Sequence, residues 1–178
     1  MEAIDRDTLA RVIQTATQEV FSTMLGMEIS CGEPFVERVP PAPSEGVVSL
    51  VGLAGQWVGT GCLCCSAAFA CRICSRMLMV ETDSVGEDVL DVIAEMTNMI
   101  IGNVKTGLEE HLGPMGLSIP TVVFGKNFTT KSVGDAEWSV CPFVSEEERL
   151  EVKICLAPCR KPHPMVRPGF LHTYSLQA

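Results

Sequence analysis

The sequence predicts an α+β fold in which an antiparallel-rich sheet of about six strands is flanked by long helices. Two observations favour this class. Amphipathic helical stretches begin the chain and occupy its middle, and runs of short alternating segments follow each of them. The chain has 178 residues, of which 47% are hydrophobic and 20% charged, so it is large and apolar enough for one globular domain with its own core.

The first element is an amphipathic helix at about 5–25, and Gly26 is the expected stop. Apolar residues recur along it at helical spacing, so one side of the helix is expected to be buried. These residues are Leu9, Val12, Ile13, Ala16, Val20 and Met24.

Alternating segments bounded by Gly and Pro predict the strands. The weak alternation of the first segment, which stops before Pro40, is typical of an edge strand. The pair Gly55-Gln56 predicts a turn between two stronger strands. In chain order the expected strands cover about 28–39, 47–53, 58–65, 118–124, 128–133, 137–144 and 150–156.

Two more helices are expected, a short one at about 67–79 and the longest one in the chain. The longest begins after Asp83-Ser84, either of which can cap it, and Ser84 and Glu87 have the spacing of a capping box. It runs to about Leu112, where Gly113-Pro114 ends it.

The longest helix has two unlike faces at 100° per residue. Its apolar stripe must be buried and comprises Leu90, Ile93, Met96, Ile100, Ile101, Val104 and Leu108. The opposite, solvent-facing side carries Asp91, Glu95, Asn98, Gly102 and Glu109. A glycine in an exposed helix interior costs about 1 kcal/mol relative to alanine. An acid, an amide and a position without a side chain suit close approach by another protein, although spacing alone also allows an ordinary solvated face.

The segment around this helix resembles a known family. The run DVIAEMTNMIIGNVKTGLEEHLGPMGLSIPTVVFGK is similar to the signature region of the CheC/CheX/FliY chemotaxis phosphatases, and most similar to the CheX branch. That family carries Asp/Ser-x3-Glu-x2-Asn on an exposed helix, followed by a Pro that leads into a strand. Here the pattern is Asp91, Glu95, Asn98 and Pro120. The likeness extends more loosely over about 12–156.

This resemblance implies a phosphatase that dephosphorylates the aspartyl phosphate of a CheY-like response-regulator receiver domain. It implies that Asn98 orients the attacking water, because an amide donates and accepts hydrogen bonds without titrating. It further implies that Glu95 pairs with the receiver's lysine, that Asp91 is a flanking contact and that Gly102 provides clearance. No cofactor or metal is expected on this chain, and Mg²⁺ is expected on the receiver.

The family is built from a CheC-like duplicated unit, and some members carry a site in each half. The first helix offers Thr15-x3-Glu19-x2-Ser22 at the equivalent place, but the short Ser22 cannot match the reach of an amide, so one site per chain is expected. The resemblance also implies a homodimer formed through sheet edges. The alternative function is a non-catalytic receiver-binding adaptor or switch-complex module on the same fold.

The charge and the cysteine content limit the possible partners and the cellular compartment. The net charge of −9 argues against a nucleic-acid or anionic-membrane binder. The apolar window 62–80 has the length of a membrane span, but Arg72 and Arg76 within it argue against one. Nine cysteines, an odd number, do not resemble a secreted disulfide framework and favour a reducing, cytoplasmic location.

Cys62, Cys65, Cys71 and Cys74 form two C-x-x-C pairs, a spacing also found in zinc sites. On a strand, however, Cys62 and Cys64 would share one face while Cys65 faces the other, so the four thiolates would not converge. Buried structural cysteines are the favoured interpretation. A metal-binding or redox role stays open as the alternative.

The chain is expected to divide into a single CheX-like domain at 1–157 and a tail at 158–178. The tail combines four prolines with basic residues and has no acid. Its three positive charges mean that the net −9 of the chain becomes −12 on the domain alone.

Overall fold

A computed structural model of the protein describes residues 4–37, 44–128 and 137–159 and shows helices packed on one face of an antiparallel sheet. The helices are α1 (Arg6–Val20), extended by a π-helical turn (Phe21–Leu25), α2 (Ala67–Leu78) and α3 (Glu87–Leu112). The strands are β1 (Ser30–Cys31), β2 (Phe35–Glu37), β3 (Ser44–Gly55), β4 (Trp57–Cys65), β5 (Met115–Leu117), β6 (Thr121–Phe128), β7 (Trp138–Ser145) and β8 (Glu148–Pro158).

The sheet has eight strands in the order β1-β7-β8-β4-β3-β5, with β2 also paired to β7 and β6 also paired to β3. Every pairing is antiparallel. The hairpins β3–β4 and β7–β8 therefore form the centre of the sheet. Strands β1 and β2 lie along one edge, and β5 and β6 lie along the other. The predicted α+β class is confirmed, and the strand count rises from about six to eight.

The hydrophobic core lies between the helices and one face of the sheet, and α3 is the element at its centre. Ile93, Met96, Ile100, Ile101 and Leu108 of α3 are completely buried. Because successive strand residues point to opposite faces, the sheet contributes every second residue to this core. These include Val47, Val51, Leu63, Phe143, Leu150, Val152 and Ile154.

Two close contacts set the position of α3. A Cβ on Gly61 of β4 would lie only 2.6 Å from Cδ1 of Ile101, and a Cβ on Gly107 would lie 2.9 Å from Cγ1 of Val12 in α1. Both glycines therefore let an apolar side chain approach the backbone directly. The helix is held against the central strand on one side and against α1 on the other.

The predicted first helix is confirmed, and it ends at Gly26 in the left-handed conformation with φ 59°. Its expected apolar side is wrong at Met24, which is 43% exposed. The last turn is π-helical, with a wider i→i+5 spacing that rotates the following residues. Phe21 and Leu25 are buried in that turn instead.

The longest helix is also confirmed, but its predicted start is wrong. It begins at Glu87 after Gly86, and no side chain caps it, so neither Asp83 nor Ser84 serves as the N-cap. In place of a cap, the two acidic residues of the first turn, Glu87 and Asp88, stabilise the start of the helix through their interaction with the positive end of the helix dipole.

The edge strand expected at 28–39 forms two short pieces, β1 and β2, both paired to β7. One unpredicted strand, β5, comes directly after α3. The strand expected at 128–133 lies outside the described residues beyond Phe128.

At the C-terminal end, β8 reaches Pro158, and the amide N–H of Cys159 donates a hydrogen bond to the carbonyl of Gln56. The rest of the predicted tail is not among the described residues. No helix in the described ranges has the length and hydropathy needed to cross a membrane.

Candidate functional site

The candidate site is the exposed face of α3, opposite its buried stripe. Asp91 and Glu95 are exposed there, while Asn98 and Gly102 are partly exposed on successive turns. Residues three and four apart on a helix are neighbours, so the four positions form one continuous row. The structure therefore brings together four of the five residues that the sequence placed on this face, and the fifth, Glu109, lies further along the helix.

The charge of this face has one sign over the first three turns of the helix. Glu87, Asp88, Asp91 and Glu95 are all exposed, and the first basic residue of α3 is Lys105. Glu87 and Asp88, in the first turn, are also stabilised by the positive end of the helix dipole. An acidic row of this kind is complementary to a partner that presents a lysine or arginine.

The Asn98 carboxamide is not used by the part of the fold that the structure describes. Among the residues that the structure describes, no hydrogen bond to its side chain is found, and the side chain is half-buried beside the exposed Glu95. Its donor and acceptor atoms can therefore both serve a molecule that approaches from outside.

The corresponding position on α1 differs. The hydroxyl of Ser22 donates to the carbonyl oxygen of Glu19 at 3.2 Å, and this contact lies where the helix changes to the π-helical turn. Thr15 and Glu19 are exposed, but Ser22 has a short side chain that is already hydrogen-bonded to its own helix. The structure thus offers one row with an available amide and one row without.

Gly102 has no packing reason to be glycine. A Cβ at this position would meet a single atom, Cδ1 of Leu117, at 3.8 Å, which is an ordinary van der Waals distance. The other glycine in the interior of α3, Gly107, would collide with Val12 if it carried a Cβ. Packing explains Gly107 but not Gly102, which leaves the helix surface flat next to Asn98.

The other end of α3 is fixed to β5 by Glu109. Its Oε1 accepts hydrogen bonds from Nζ of Lys105 at 2.7 Å and from the backbone N–H of Met115 at 3.0 Å. These contacts lower the pKa of the Glu109 carboxyl, with the Lys105 hydrogen bond as the main cause. The sequence placed Glu109 on the solvent side and missed this role, because the bond to Met115 depends on how the chain turns back after the helix.

Beyond β5 a short loop lies at the same edge. The Oγ of Ser118 accepts from the N–H of Gly52 at 2.8 Å, and the N–H of Ser118 donates to the carbonyl of Gly52 at 2.9 Å. Ile119 is 88% exposed in this fixed loop, and the half-buried Pro120 leads into β6. The local sequence pattern predicts neither of these two hydrogen bonds.

The remaining sequence candidates lie apart from this row. Cys65, Cys71 and Cys74 belong to the core between helices and sheet, whereas Cys62 lies on the other face of the sheet. Within the described ranges, no group of three or more His, Cys, Asp or Glu side chains could hold a metal ion.

Comparison with known proteins gives matches over most of the chain. The family model "Chemotaxis phosphatase CheX" matches residues 47–144. The CheY-P phosphatase CheX of Thermotoga maritima is 30% identical over 130 residues, which cover 70% of this chain and 83% of that protein. The matched region contains the whole of α3 and the row of residues from Asp91 to Gly102.

Solved structures agree with this result. CheX of Desulfovibrio desulfuricans is 28% identical with a TM-score of 0.76, covering 84% of this chain and 99% of that one. CheX of Borrelia burgdorferi, solved as a CheX-CheY-BeF3-Mg²⁺ complex, is 25% identical with a TM-score of 0.73, covering 86% of this chain and 99% of that one.

We predict that the Glu109 contact makes stability depend on pH. Because the folded-state pKa of Glu109 is lowered from 4.5, its stabilising effect is present above that pH and is lost as the pH falls through the lowered value. Urea unfolding from pH 7 down to pH 3 should show wild type more stable than Glu109→Gln at the top of the range. The difference should shrink as the pH falls.

The control is Glu110→Gln, which makes the same charge change at the next, exposed position. Glu110→Gln should follow the wild-type curve much more closely. Equal effects of the two substitutions at every pH would contradict the role assigned to Glu109.

Proposed function

This chain belongs to the chemotaxis phosphatase CheX family, and from the row of side chains on α3 we propose that it dephosphorylates a CheY-like receiver domain. The observation that carries the proposal is the pair of the exposed Glu95 and the partly exposed Asn98 on one helix face, where the Asn98 amide has no hydrogen-bond partner among the described residues. The likeness to a CheX solved together with CheY and Mg²⁺ supports a receiver as the partner.

The reaction requires little covalent chemistry from the enzyme. A water oxygen bonds to phosphorus, the bond between phosphorus and the receiver's aspartyl oxygen breaks, and inorganic phosphate and a free carboxylate result. The water's protons pass to phosphate and solvent. Because an acyl phosphate is already activated, most of the gain comes from holding the water in line with the breaking bond.

Asn98 is the residue we assign to that task. Its carboxamide can accept a hydrogen bond from the water while donating another to the phosphoryl group, and it stays neutral at every physiological pH. It projects from the middle of a helix that is buried on its other side, so its position is set by a rigid element and not by a loop. We assign no metal to this chain, and place Mg²⁺ on the receiver.

Glu95 fixes the position of the helix on the receiver. We propose that its carboxylate pairs with the receiver's lysine, one turn from the water-binding amide, and so sets the register of docking. Asp91 adds a flanking polar contact. The flat surface at Gly102 lets the receiver approach on the other side of Asn98. The same proposal places the enzyme in the cytoplasm, where its nine cysteines would stay reduced.

The first prediction from this mechanism concerns Asn98→Ala. The substitution should reduce the acceleration of receiver dephosphorylation roughly a hundredfold, equivalent to about 2.7 kcal/mol of transition-state stabilisation. Binding of the phosphorylated receiver should be nearly unchanged. The measurement is the decay of a receiver loaded with a small acyl phosphate and Mg²⁺, with and without each variant.

Asn103→Ala is the matched control, since it removes the same group from an exposed position of the same helix, five residues further on. It should keep full activity. Normal dephosphorylation by Asn98→Ala would refute the mechanism. Tight receiver binding by the wild type without faster decay would instead identify the non-catalytic adaptor.

The second prediction concerns Glu95→Lys. Reversing this charge should weaken receiver binding at least roughly tenfold, about 1.4 kcal/mol, because a lysine would then face a lysine. The effect should appear mainly in KM and should diminish at high salt. Glu19→Lys makes the same change on α1, at the equivalent position, and should alter neither KM nor kcat. A similar loss in both variants would indicate general electrostatic repulsion and not a specific contact.

We also propose that two copies associate through sheet edges. One edge carries β1 and β2 and the other carries β5 and β6, and an edge strand presents backbone groups that can pair with another chain. Light scattering at micromolar concentration should give the mass of two chains. A mass of one 19.2 kDa chain would exclude this dimer.

A further inference from the structure

The edge of the sheet beside α3 is interrupted by a bulge between β5 and β6. Leu117, the last residue of β5, pairs with Leu53 of β3. Thr121, the first residue of β6, pairs with Leu50 of the same strand. Two residues of β3 lie between these pairs, whereas three residues, 118–120, lie between them on the edge. One extra residue is therefore inserted here, and such a bulge changes the direction in which a side chain points.

Hydrogen bonds of Ser118 hold the backbone of this bulge in place. Its N–H donates to the carbonyl oxygen of Gly52 at 2.9 Å, and its Oγ accepts from the N–H of Gly52 at 2.8 Å. The same hydroxyl donates to the carbonyl oxygen of Ile119 at 2.9 Å. The ring of Pro120 fixes its own φ and restricts the backbone of Ile119 before it. Ile119 thus lies between two fixed residues.

Ile119 presents an apolar side chain to solvent from this fixed backbone. In a regular strand it would share a face with Leu117, which packs against the core, because every second residue lies on the same face. At the bulge it is instead 88% exposed. A side chain on a fixed backbone loses little conformational entropy when a partner covers it, so Ile119 is suited to anchor a partner protein.

The bulge lies next to the polar row of α3. The N–H of Met115 donates to Glu109, and two residues further on Cδ1 of Leu117 lies 3.8 Å from the position that a Cβ on Gly102 would take. Strand β5 therefore runs back along α3 from its C-terminal end, and the residues after it continue towards the turn that carries Asn98. A partner that lies on the flat surface at Gly102 would also meet the bulge.

We propose that Ile119 is an apolar anchor for the receiver domain, and that it enters an apolar depression of the receiver while the row on α3 covers the phosphorylated aspartate. This inference rests on the proposed function. The contact is remote from the reacting atoms and is the same before and during the reaction. It therefore contributes to KM and not to kcat.

A second copy of this chain is the alternative occupant of this edge. Addition of a strand requires an unbroken row of backbone donors and acceptors, and bulges and prolines at an edge prevent it. Here the extra residue breaks the row, and Pro120 has no N–H to donate. The bulge therefore favours a side-chain contact with a different protein over pairing between two copies.

The test compares Ile119→Asn with Val144→Asn. Both substitutions replace an exposed β-branched apolar side chain without a change of charge, and Val144 lies on the face of the sheet away from α3, between core residues of β7. Affinity is measured against a panel of CheY-like receivers loaded with beryllofluoride and Mg²⁺. KM and kcat are measured with the same receivers loaded from a small acyl phosphate.

Ile119→Asn should weaken binding and raise KM at least roughly tenfold with kcat unchanged, because the burial of one aliphatic side chain is lost. Val144→Asn should behave like the wild type. Ile119→Leu keeps the apolar area and should keep the wild-type affinity. The loss in Ile119→Asn should persist at high salt, since apolar burial is not screened, whereas the effect of Glu95→Lys should diminish. Circular dichroism confirms that each variant is folded.

The anchor is overturned, with the proposed function intact, if the wild type dephosphorylates a receiver and Ile119→Asn binds it and turns it over equally well. A fall in mass from two chains to one in Ile119→Asn, with unchanged receiver affinity, would also overturn it and identify a second copy as the occupant. If the wild type neither binds nor dephosphorylates any receiver, the proposed function and the anchor both fail. Binding without faster decay contradicts the catalysis alone, and the affinities of the variants still decide the role of Ile119.

Discussion

The contact between α3 and the central strand β4 is the constraint on which the rest of the molecule depends. Gly61 has no side chain, and Ile101 fills the space over it at a distance that no Cβ would allow. A fully buried aliphatic side chain contributes about 1.5–3 kcal/mol, and the helix buries many of them. Turning the helix by one residue, 100°, would expose this stripe, so the rotation of α3 is determined by its buried side.

The exposed face follows from this constraint. Once Ile93, Met96, Ile100 and Ile101 are fixed inward, Glu95 and Asn98 must face outward, and the hydrophobic energy that holds them is far larger than the cost of presenting an unused amide. Glu109 then ties the C-terminal end of the same helix to β5. The polar row is thus placed on a rigid support, which suits the water-positioning role proposed for Asn98.

The opposite face of the sheet has a different character. Among the described elements, the three helices all pack on one side, and the alternation of β4 and β8 directs Cys62, Cys64 and Lys153 to the other. The sheet therefore separates two kinds of chemistry. A neutral amide with an acid lies on the side proposed to face a partner protein, and a thiol pair beside a mostly buried lysine lies on the other.

Features with a local repeat could be predicted from the sequence. The period of α3 was sufficient to assign its buried stripe and its polar row, and strand alternation was sufficient to put Cys62 and Cys64 on one face and Cys65 on the other. The resemblance to the CheX family, carried by the run from Asp91 to Lys126, supplied the fold and the class of reaction that family membership supports. These features depend on residues close together in the chain.

Features that depend on distant residues were decided only by the tertiary structure. Ser84 has the right spacing for a cap, yet α3 begins at Glu87. The helical period placed Glu109 on the solvent side, but in the fold its carboxylate accepts a hydrogen bond from the backbone of β5. The contact of Lys153 with Glu37 joins residues 116 positions apart, across strands whose order no local pattern specifies. By itself the sequence determined which faces are apolar and which are polar, because that is a matter of period. The packing of α3 and the order of the strands decided which side chains meet across the fold, because those contacts form only when distant parts of the chain come together.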